Sequence, residues 1–242
     1  MTKIHYVTYA THEQGTFKEL IDNKHGVSIK VLGFGEKWQG FMGKARSILK
    51  YIRSLPDGEI VVVLDGFDTL VNSSPKNILN IFDSYQTRIL VSQDPVLVNR
   101  YIVKRIFGEC NKVVANAGMY MGYAADVKKM LESVLTEKSQ DDQRGMNTYC
   151  SVVNDESVIK VDKSFKIFEN VNLLNAGSVN SDAIFISYPA CGKCTKYELF
   201  ERFVIRGVPE YIGFFKMEIA VIVLLLLYFY VIPMVRRRNR NR

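Results

Sequence analysis

Histidine is scarce in this chain, whose 242 residues include only His5, His12 and His25. All three precede the third predicted strand, and we interpret them as surface or strand-edge residues rather than as metal ligands. An iron centre of two histidines and one carboxylate would need histidines elsewhere in the sequence. The chain is therefore not expected to act as an iron-dependent oxygenase.

Cysteine is also infrequent, and its spacing leaves the redox compartment open. Cys110 and Cys150 are isolated in the sequence, whereas Cys191 and Cys194 form a single C-x-x-C motif. One such motif is compatible with a disulfide, with half of a zinc site or with two free thiols. The cysteines alone therefore do not decide where the protein resides.

Outside its C-terminus the chain has little excess positive charge. The formal net charge is +7, and five of these charges come from Arg236, Arg237, Arg238, Arg240 and Arg242. The remaining net charge of about +2 is too small to indicate a nucleic-acid-binding surface. We therefore expect no nucleic acid partner.

No apolar segment of the signal-peptide kind opens the sequence, but an apolar run lies near its other end. We predict a folded domain over residues 1–213, a transmembrane anchor over residues 214–235 and a basic tail over residues 236–242. Residues 219–235 contain no charged side chain and are long enough for a short spanning helix. The predicted partner is a lipid bilayer, either an endomembrane or a virion membrane.

The side of the membrane on which the domain lies stays open at this level. The positive-inside tendency places the arginine tail in the cytosol and the domain on the opposite side. The missing signal segment instead favours a tail-anchored protein whose domain is cytosolic.

The first half of the chain alternates short apolar strands with helices. Strands are predicted at residues 4–9, 27–32, 60–64 and 88–92, with helical segments between them. This alternation is typical of an α/β fold with a mostly parallel sheet and helices on both faces. Residues 116–123, rich in small side chains, are interpreted as a ligand-lined loop, and residues 196–205 as a helix.

The most informative segment is Asp65-Gly66-Phe67-Asp68-Thr69, which follows directly on an apolar strand. Open α/β sheets bind ligands at the carboxyl ends of their strands. Two carboxylates at such a position suit a hard divalent cation, Mg²⁺ or Mn²⁺, that bridges a diphosphate. The alternative is an ordinary turn, in which aspartate is common.

Several further segments of the chain occur in a defined order. They are VTYAT, LGFGEKW, a lysine on the next helix, VVVLDGFDTLV, NAGMYMGY, DDQ and KIFEN. In this order they resemble the glycosyltransferase domain of procollagen lysyl hydroxylases and of related viral and invertebrate proteins. The resemblance covers residues 3–211 and implies a GT-A fold, a UDP-sugar donor and a divalent cation, usually Mn²⁺.

The resemblance also implies roles for individual residues. Asp65 and Asp68 match metal-binding carboxylates, and Lys44 matches a residue near the phosphates, although a basic surface helix would explain Lys44 equally well. The residues that match nucleotide contacts are Thr8, Trp38 and Phe67, the last by stacking on the uracil. The residues that match the donor-sugar and acceptor side are Asn116, Asp141 and Asp142. Asp141 or Asp142 would orient or deprotonate the attacking hydroxyl, or stabilise positive charge on the sugar. Acidic residues at a helix start also serve as plain caps.

One departure from the family concerns the metal site, which the family closes with a histidine near the end of the domain. Residues 185–194 contain no histidine, and Ser187 or Tyr188 would take that place. The resemblance implies a metal-dependent transferase that moves a hexose, glucose or galactose, from UDP to a hydroxyl of a protein or glycan. A hydroxylysine-type, collagen-like protein is one such acceptor. The alternative is a catalytically weak or inactive membrane protein that binds nucleotide sugars with the same fold.

Overall fold

The computed structural model describes residues 2–95, 100–138, 140–171, 181–189 and 212–231. The chain divides into two compact units, residues 1–194 and residues 195–242. The helix predicted over residues 196–205 and the motif of Cys191 and Cys194 lie outside the described residues.

The first unit combines short strands with helices, as the alternating sequence predicts. Its described strands are β1 (Ile4–Tyr9), β2 (Ile29–Leu32), β3 (Ile60–Asp65), β4 (Thr69–Val71), β5 (Ile89–Gln93), β6 (Ala115–Tyr123), β7 (Ile159–Val161), β8 (Phe168–Asn170) and β9 (Phe185–Ser187). Its described helices are α1 (Phe17–Ile21), α2 (Gly40–Ile52), α3 (Ile78–Ser84), α4 (Arg100–Phe107), α5 (Ala124–Val134) and α6 (Asp142–Val153). A 3₁₀ turn at Pro75–Asn77 leads into α3.

A six-stranded sheet in the order β2-β1-β3-β6-β5-β7 forms the centre of this unit. β1 pairs in parallel with β2 and β3, and β5 pairs in parallel with β7. Only β6 is reversed, since it pairs antiparallel with both β3 and β5. The predicted α/β fold with a mostly parallel sheet is therefore confirmed.

Both faces of this sheet are covered, which explains why β3 is apolar at every position before Asp65. Val61 and Val63 face a core shared with α2, α5 and α6. Val62 and Leu64 face the opposite core, which is shared with α1, α3 and a second sheet of order β4-β9-β8. Helices therefore lie on both faces, and the small second sheet begins directly after the Asp65–Asp68 turn.

The interpretation of residues 116–123 as a loop is wrong, because these residues belong to β6. Met119, Tyr120 and Met121 pair with Leu64, Val63 and Val62 of β3. β6 lies between β3 and β5, and side chains cover both faces of the sheet. The small residues of this segment fit that crowded interior. They therefore serve sheet packing, although Asn116 and Tyr120 of β6 also lie near the candidate site.

Cys110 and Cys150, which are isolated in the sequence, form a disulfide in the structure. Their Cα atoms lie 5.2 Å apart although 40 residues separate them in the sequence. Cys110 lies in the segment after α4, and Cys150 lies on α6. The bond thus attaches that segment to α6, and only the tertiary fold brings the two thiols together.

The described part of the second unit is one apolar helical segment. It starts as a 3₁₀ turn at Ile212–Phe215, continues as α7 (Lys216–Leu226) and ends in a wider π-helical turn at Leu227–Val231. Residues Ile212–Phe229 have a mean hydropathy of 2.2 and are not buried within the protein. By length and composition, this segment can cross a membrane, and it overlaps the predicted anchor over residues 214–235.

Candidate active site

The turn between β3 and β4 carries the two aspartates that the sequence singles out. Gly66 has to be a glycine here, since a Cβ atom would lie 2.8 Å from the carbonyl oxygen of Tyr9 and 2.9 Å from the Cβ atom of Ala10. The turn therefore lies directly against the end of β1. This close approach places Asp65 and Asp68 at the carboxyl edge of the parallel strands, where α/β proteins bind ligands.

Lys44 is buried and links two carboxylates of the site. Its Nζ atom lies 2.8 Å from Oδ2 of Asp142 and 3.6 Å from Oδ2 of Asp65, and the residue is only 7% exposed. The interpretation of Lys44 as a solvated surface residue is therefore wrong. The side chain extends from α2 into the space between the end of β3 and the start of α6.

Burial and charge act against each other at this ion pair. Burial disfavours the charged ammonium group, but the charges of Asp142 and Asp65 outweigh this effect and raise the pKa of Lys44. Burial also raises the pKa of Asp142, although the charge of Lys44 opposes that shift. The hydroxyl of Tyr120, on β6, lies within electrostatic range of the pair, and burial raises its pKa as well.

The adjacent residues Asp141 and Asp142 make different side-chain contacts. Asp142 is buried against Lys44. Asp141 occupies the N-cap position of α6, where its Oδ1 atom accepts a hydrogen bond of 2.8 Å from the backbone N–H of Arg144. This is the plain capping contact that acidic residues make at helix starts. A catalytic role for either residue stays a prediction, and the geometry favours Asp142.

Asp68 contacts the second sheet through Ser187. The hydroxyl of Ser187 donates to Oδ1 of Asp68 at 2.9 Å, and the backbone N–H of Tyr188 donates to the carbonyl oxygen of Asp68 at 2.8 Å. Both residues thus contact Asp68, and that Ser187 or Tyr188 takes the place of the family's histidine stays a prediction.

Carboxylate and hydroxyl oxygens are a donor set that suits Mg²⁺ or Mn²⁺. The carboxylates of Asp65 and Asp68 therefore fit a hard cation, and these two residues would be its protein ligands. Among the described residues, no group of three histidine, cysteine, aspartate or glutamate side chains is clustered as a metal site. The assignment to metal binding thus stays a prediction that rests on two carboxylates.

An aromatic cluster lies beside the turn. The ring centroids of Trp38 and Phe67 are 6.4 Å apart, and those of His12 and Phe67 are 5.3 Å apart. Trp38 is 41% exposed, so part of its ring is accessible to a ligand. Gly15 supports this arrangement, because it has a positive φ of 59° and a Cβ atom there would lie 1.9 Å from the carbonyl oxygen of Phe67. A planar base can stack on such rings.

Thr8, on β1, is fully buried and pairs with Leu64 of β3. Its hydroxyl donates to the carbonyl oxygen of Leu64 at 2.8 Å. This side chain therefore binds the neighbouring strand in the structure. A nucleotide contact by Thr8 stays a prediction.

A polar network on the other side of Asp65 contains a residue that the sequence analysis missed. Nδ2 of Asn116 lies 3.4 Å from Oδ2 of Asp94 and 3.3 Å from Oε1 of Gln143, and Nε2 of Gln143 donates to Oδ2 of Asp94 at 2.9 Å. Burial raises the pKa of Asp94, against the effect of the two amide donors. Asp94 follows β5 as Asp65 ends β3, so the strand-end rule would have identified it.

Comparison with known proteins identifies the family of this domain. A family model described as the PLOD GT domain matches residues 1–182. The multifunctional procollagen lysine hydroxylase and glycosyltransferase of Caenorhabditis elegans is 29% identical over 191 residues, which are 69% of this chain and 25% of that protein. The human procollagen-lysine,2-oxoglutarate 5-dioxygenase 2 is 26% identical over 217 residues, which are 81% of this chain and 28% of that protein. The chain thus spans about a quarter of the length of these curated relatives.

The fold is also similar to that of a glycosyltransferase involved in the glycosylation of the major capsid of PBCV-1. The likeness covers 81% of this chain and 96% of that one, with a TM-score of 0.51 and 14% sequence identity. At this identity the comparison shows the fold alone. Because the family match spans well over half of the residues, the chain belongs to the PLOD GT domain family and carries a glycosyltransferase-family domain.

Proposed function

We propose that the protein transfers a hexose, glucose or galactose, from a UDP-sugar to a hydroxyl acceptor in a metal-dependent reaction. The observation that carries this proposal is the buried ion-pair cluster of Lys44, Asp65 and Asp142, which lies next to the aromatic cluster at the carboxyl edge of the sheet. An acidic edge for a cation and a stacking surface for a base are the two elements that a nucleoside diphosphate donor requires.

The nucleotide half of the donor would bind on the aromatic side of the turn. Phe67 and Trp38 offer ring faces to the uracil. Asp65 and Asp68 would hold Mn²⁺ or Mg²⁺, which as a Lewis acid stabilises the charge of the departing UDP. Lys44 lies 3.6 Å from Asp65, so its ammonium group can turn towards a phosphate without leaving the site.

The sugar half would lie on the opposite side of Asp65. Asn116, Asp94 and Gln143 present amide and carboxylate groups there, and such groups suit sugar hydroxyls. Asp142 is the better candidate for orienting or deprotonating the acceptor hydroxyl, since Asp141 caps α6. Lys44 would keep Asp142 ionised until the acceptor binds.

The names of the relatives support one class of acceptor. Two of them are procollagen lysine-modifying proteins, and the one from Caenorhabditis elegans is named as a glycosyltransferase as well. A hydroxylysine-type, collagen-like protein is therefore our first acceptor candidate, and other proteins or glycans are the second.

The test is a donor panel with the purified protein. UDP-glucose, UDP-galactose and other UDP-sugars are incubated with Mn²⁺, with Mg²⁺ or with a chelator, with and without a hydroxylysine peptide, and released UDP is measured. We expect UDP release from one UDP-hexose, loss of release with the chelator and recovery with added metal. Tight UDP binding without release on the whole panel would favour the inactive nucleotide-sugar-binding protein, and failure to bind UDP would contradict both functions.

We also propose that residues 214–235 anchor the protein in a bilayer with its folded domain on the oxidising side. The disulfide between Cys110 and Cys150 supports this orientation, since such bonds persist mainly outside the reducing cytosol. The arginine-rich tail agrees with it under the positive-inside tendency.

Orientation is measurable in sealed membrane vesicles. In a background with Cys191→Ser and Cys194→Ser, a thiol-reactive mass tag is expected to label Cys110 and Cys150 only after reduction. Added protease should leave the domain intact until detergent opens the vesicles. Labelling without reductant together with digestion of the domain in sealed vesicles would place the domain in the cytosol.

A further inference from the structure

The side chain of Asn170, at the end of β8, contains a buried polar atom that the contacts described above do not account for. The residue is only 6% exposed. Its Nδ2 atom donates to the carbonyl oxygen of Gln93 at 2.8 Å. Its Oδ1 atom is buried and has no hydrogen-bond partner among the residues that the structure describes. Buried amide oxygens normally accept a hydrogen bond, so a donor is expected for this atom.

The orientation of the Asn170 amide is determined by its neighbour. The carbonyl oxygen of Gln93 can only accept a hydrogen bond, so it must face the NH₂ group of Asn170 rather than the oxygen. Exchanging the two ends of the amide would bring two oxygens together and would satisfy neither. The unpartnered atom is therefore the acceptor.

Asn170 lies between the two halves of the candidate active site. On one side, Gln93 directly precedes Asp94, which binds Asn116 and Gln143. On the other side, Asn170 pairs in register with Ser187 of the parallel strand β9. Paired residues of neighbouring strands share one face of the sheet, and the hydroxyl of Ser187 on that face donates to Asp68.

We propose that Oδ1 of Asn170 accepts a hydrogen bond from a hydroxyl of the donor hexose. A neutral amide oxygen repels a phosphate oxygen but suits an O–H donor. A sugar hydroxyl satisfies the buried oxygen, and free UDP has no hexose to offer. This assignment rests on the proposed function, and it makes Asn170 a residue that binds the sugar rather than the nucleotide.

Binding measurements separate the two parts of the donor. Affinities for UDP, UDP-glucose and UDP-galactose are measured by calorimetry with Mg²⁺ present, for the native protein and for Asn170→Ala. We expect the preferred UDP-hexose to bind at least tenfold more weakly to the variant and UDP to bind within twofold of the native value. Asn80→Ala, an exposed asparagine on α3, is the matched control and should change neither affinity.

Deoxy donors provide a readout that does not depend on one substitution. One deoxy-hexose analogue of the preferred UDP-sugar should lose about tenfold in affinity for the native protein and bind to Asn170→Ala as well as the parent donor does. Asn170→Ser serves the same comparison if the alanine variant does not fold. The assignment would be overturned if Asn170→Ala weakened the binding of UDP and of UDP-hexose equally. It would also be overturned if every deoxy analogue lost as much affinity for Asn170→Ala as for the native protein. A native protein that binds neither ligand would instead refute the proposed function, and this assignment with it.

Discussion

Asp65→Asn and Asp68→Asn are each expected to slow metal-dependent UDP release by about 10²–10³-fold, the loss typical of removing one electrostatic stabiliser of a transition state. Asparagine keeps the size of the side chain and one oxygen, but it removes the negative charge that attracts the cation. Both positions lie on the turn at the carboxyl edge of the sheet, where the fold places ligands. The rate is measured with the donor that the panel identifies.

Mn²⁺ binding gives the second readout for these variants. Paramagnetic resonance of free Mn²⁺ should show weaker binding by both variants than by the native protein in the presence of UDP. Asp83→Asn, an exposed aspartate on α3, is the matched control and should keep both the rate and the affinity. Native-like Mn²⁺ binding and UDP release in both site variants would show that these carboxylates do not hold the metal.

Lys44→Met is expected to lower the free energy of unfolding by about 3–5 kcal/mol, the usual cost of removing one partner of a buried ion pair. Methionine has nearly the shape of the lysine stem, so the loss comes mainly from the charge. Without the ammonium group, the buried carboxylate of Asp142 has no cation beside it and is repelled by the charge of the half-buried Asp65. Denaturant unfolding at neutral pH measures the effect.

The pH dependence of this loss identifies its cause. Burial already raises the pKa of Asp142, and removing Lys44 raises it further. A carboxyl whose pKa is higher in the folded than in the unfolded protein binds protons on folding. Stability therefore falls as the pH rises from the unfolded-state pKa to the folded-state pKa. The loss of stability in Lys44→Met should therefore grow as the pH rises towards neutral. It should shrink as the pH falls towards the pKa of an aspartate in the unfolded chain, about 4.

Two comparisons control the lysine experiment. Lys50→Met, at an exposed position of the same helix, should change stability by no more than about 0.5 kcal/mol. Adding Asp142→Asn to Lys44→Met should recover part of the loss, because it removes one uncompensated charge. A Lys44→Met protein as stable as the Lys50→Met protein at neutral pH would mean that the ion pair contributes nothing to folding.

Local patterns were sufficient for the fold class and for the turn of Asp65 and Asp68. The apolar run of β3 is buried on both faces, and the aspartates follow where the strand ends, so periodicity and strand-end position identify them. The same reasoning predicted the strand β1 and the helix α2. It failed for β6, because a strand of small residues in the middle of a sheet has the composition of a flexible loop.

The partners of the site residues were beyond the reach of local patterns. A basic helix gives no sign that Lys44 alone extends inward, since that depends on how α2 packs against β3 and α6. Adjacent aspartates give no sign of which one caps the helix and which one is buried. The contact of Ser187 with Asp68 spans 119 residues of sequence and exists only because β9 pairs with β4.

The sequence by itself determined the α/β architecture, the acidic turn and the apolar segment near the C-terminus, because each depends on residues that are close together in the chain. The tertiary structure decided which charges meet, that Cys110 pairs with Cys150, and that Asp94 and Asn170 lie at the same edge as Asp65. The physical reason is that strand order and helix packing bring distant residues into contact, and burial then sets the cost of leaving any of them without a partner.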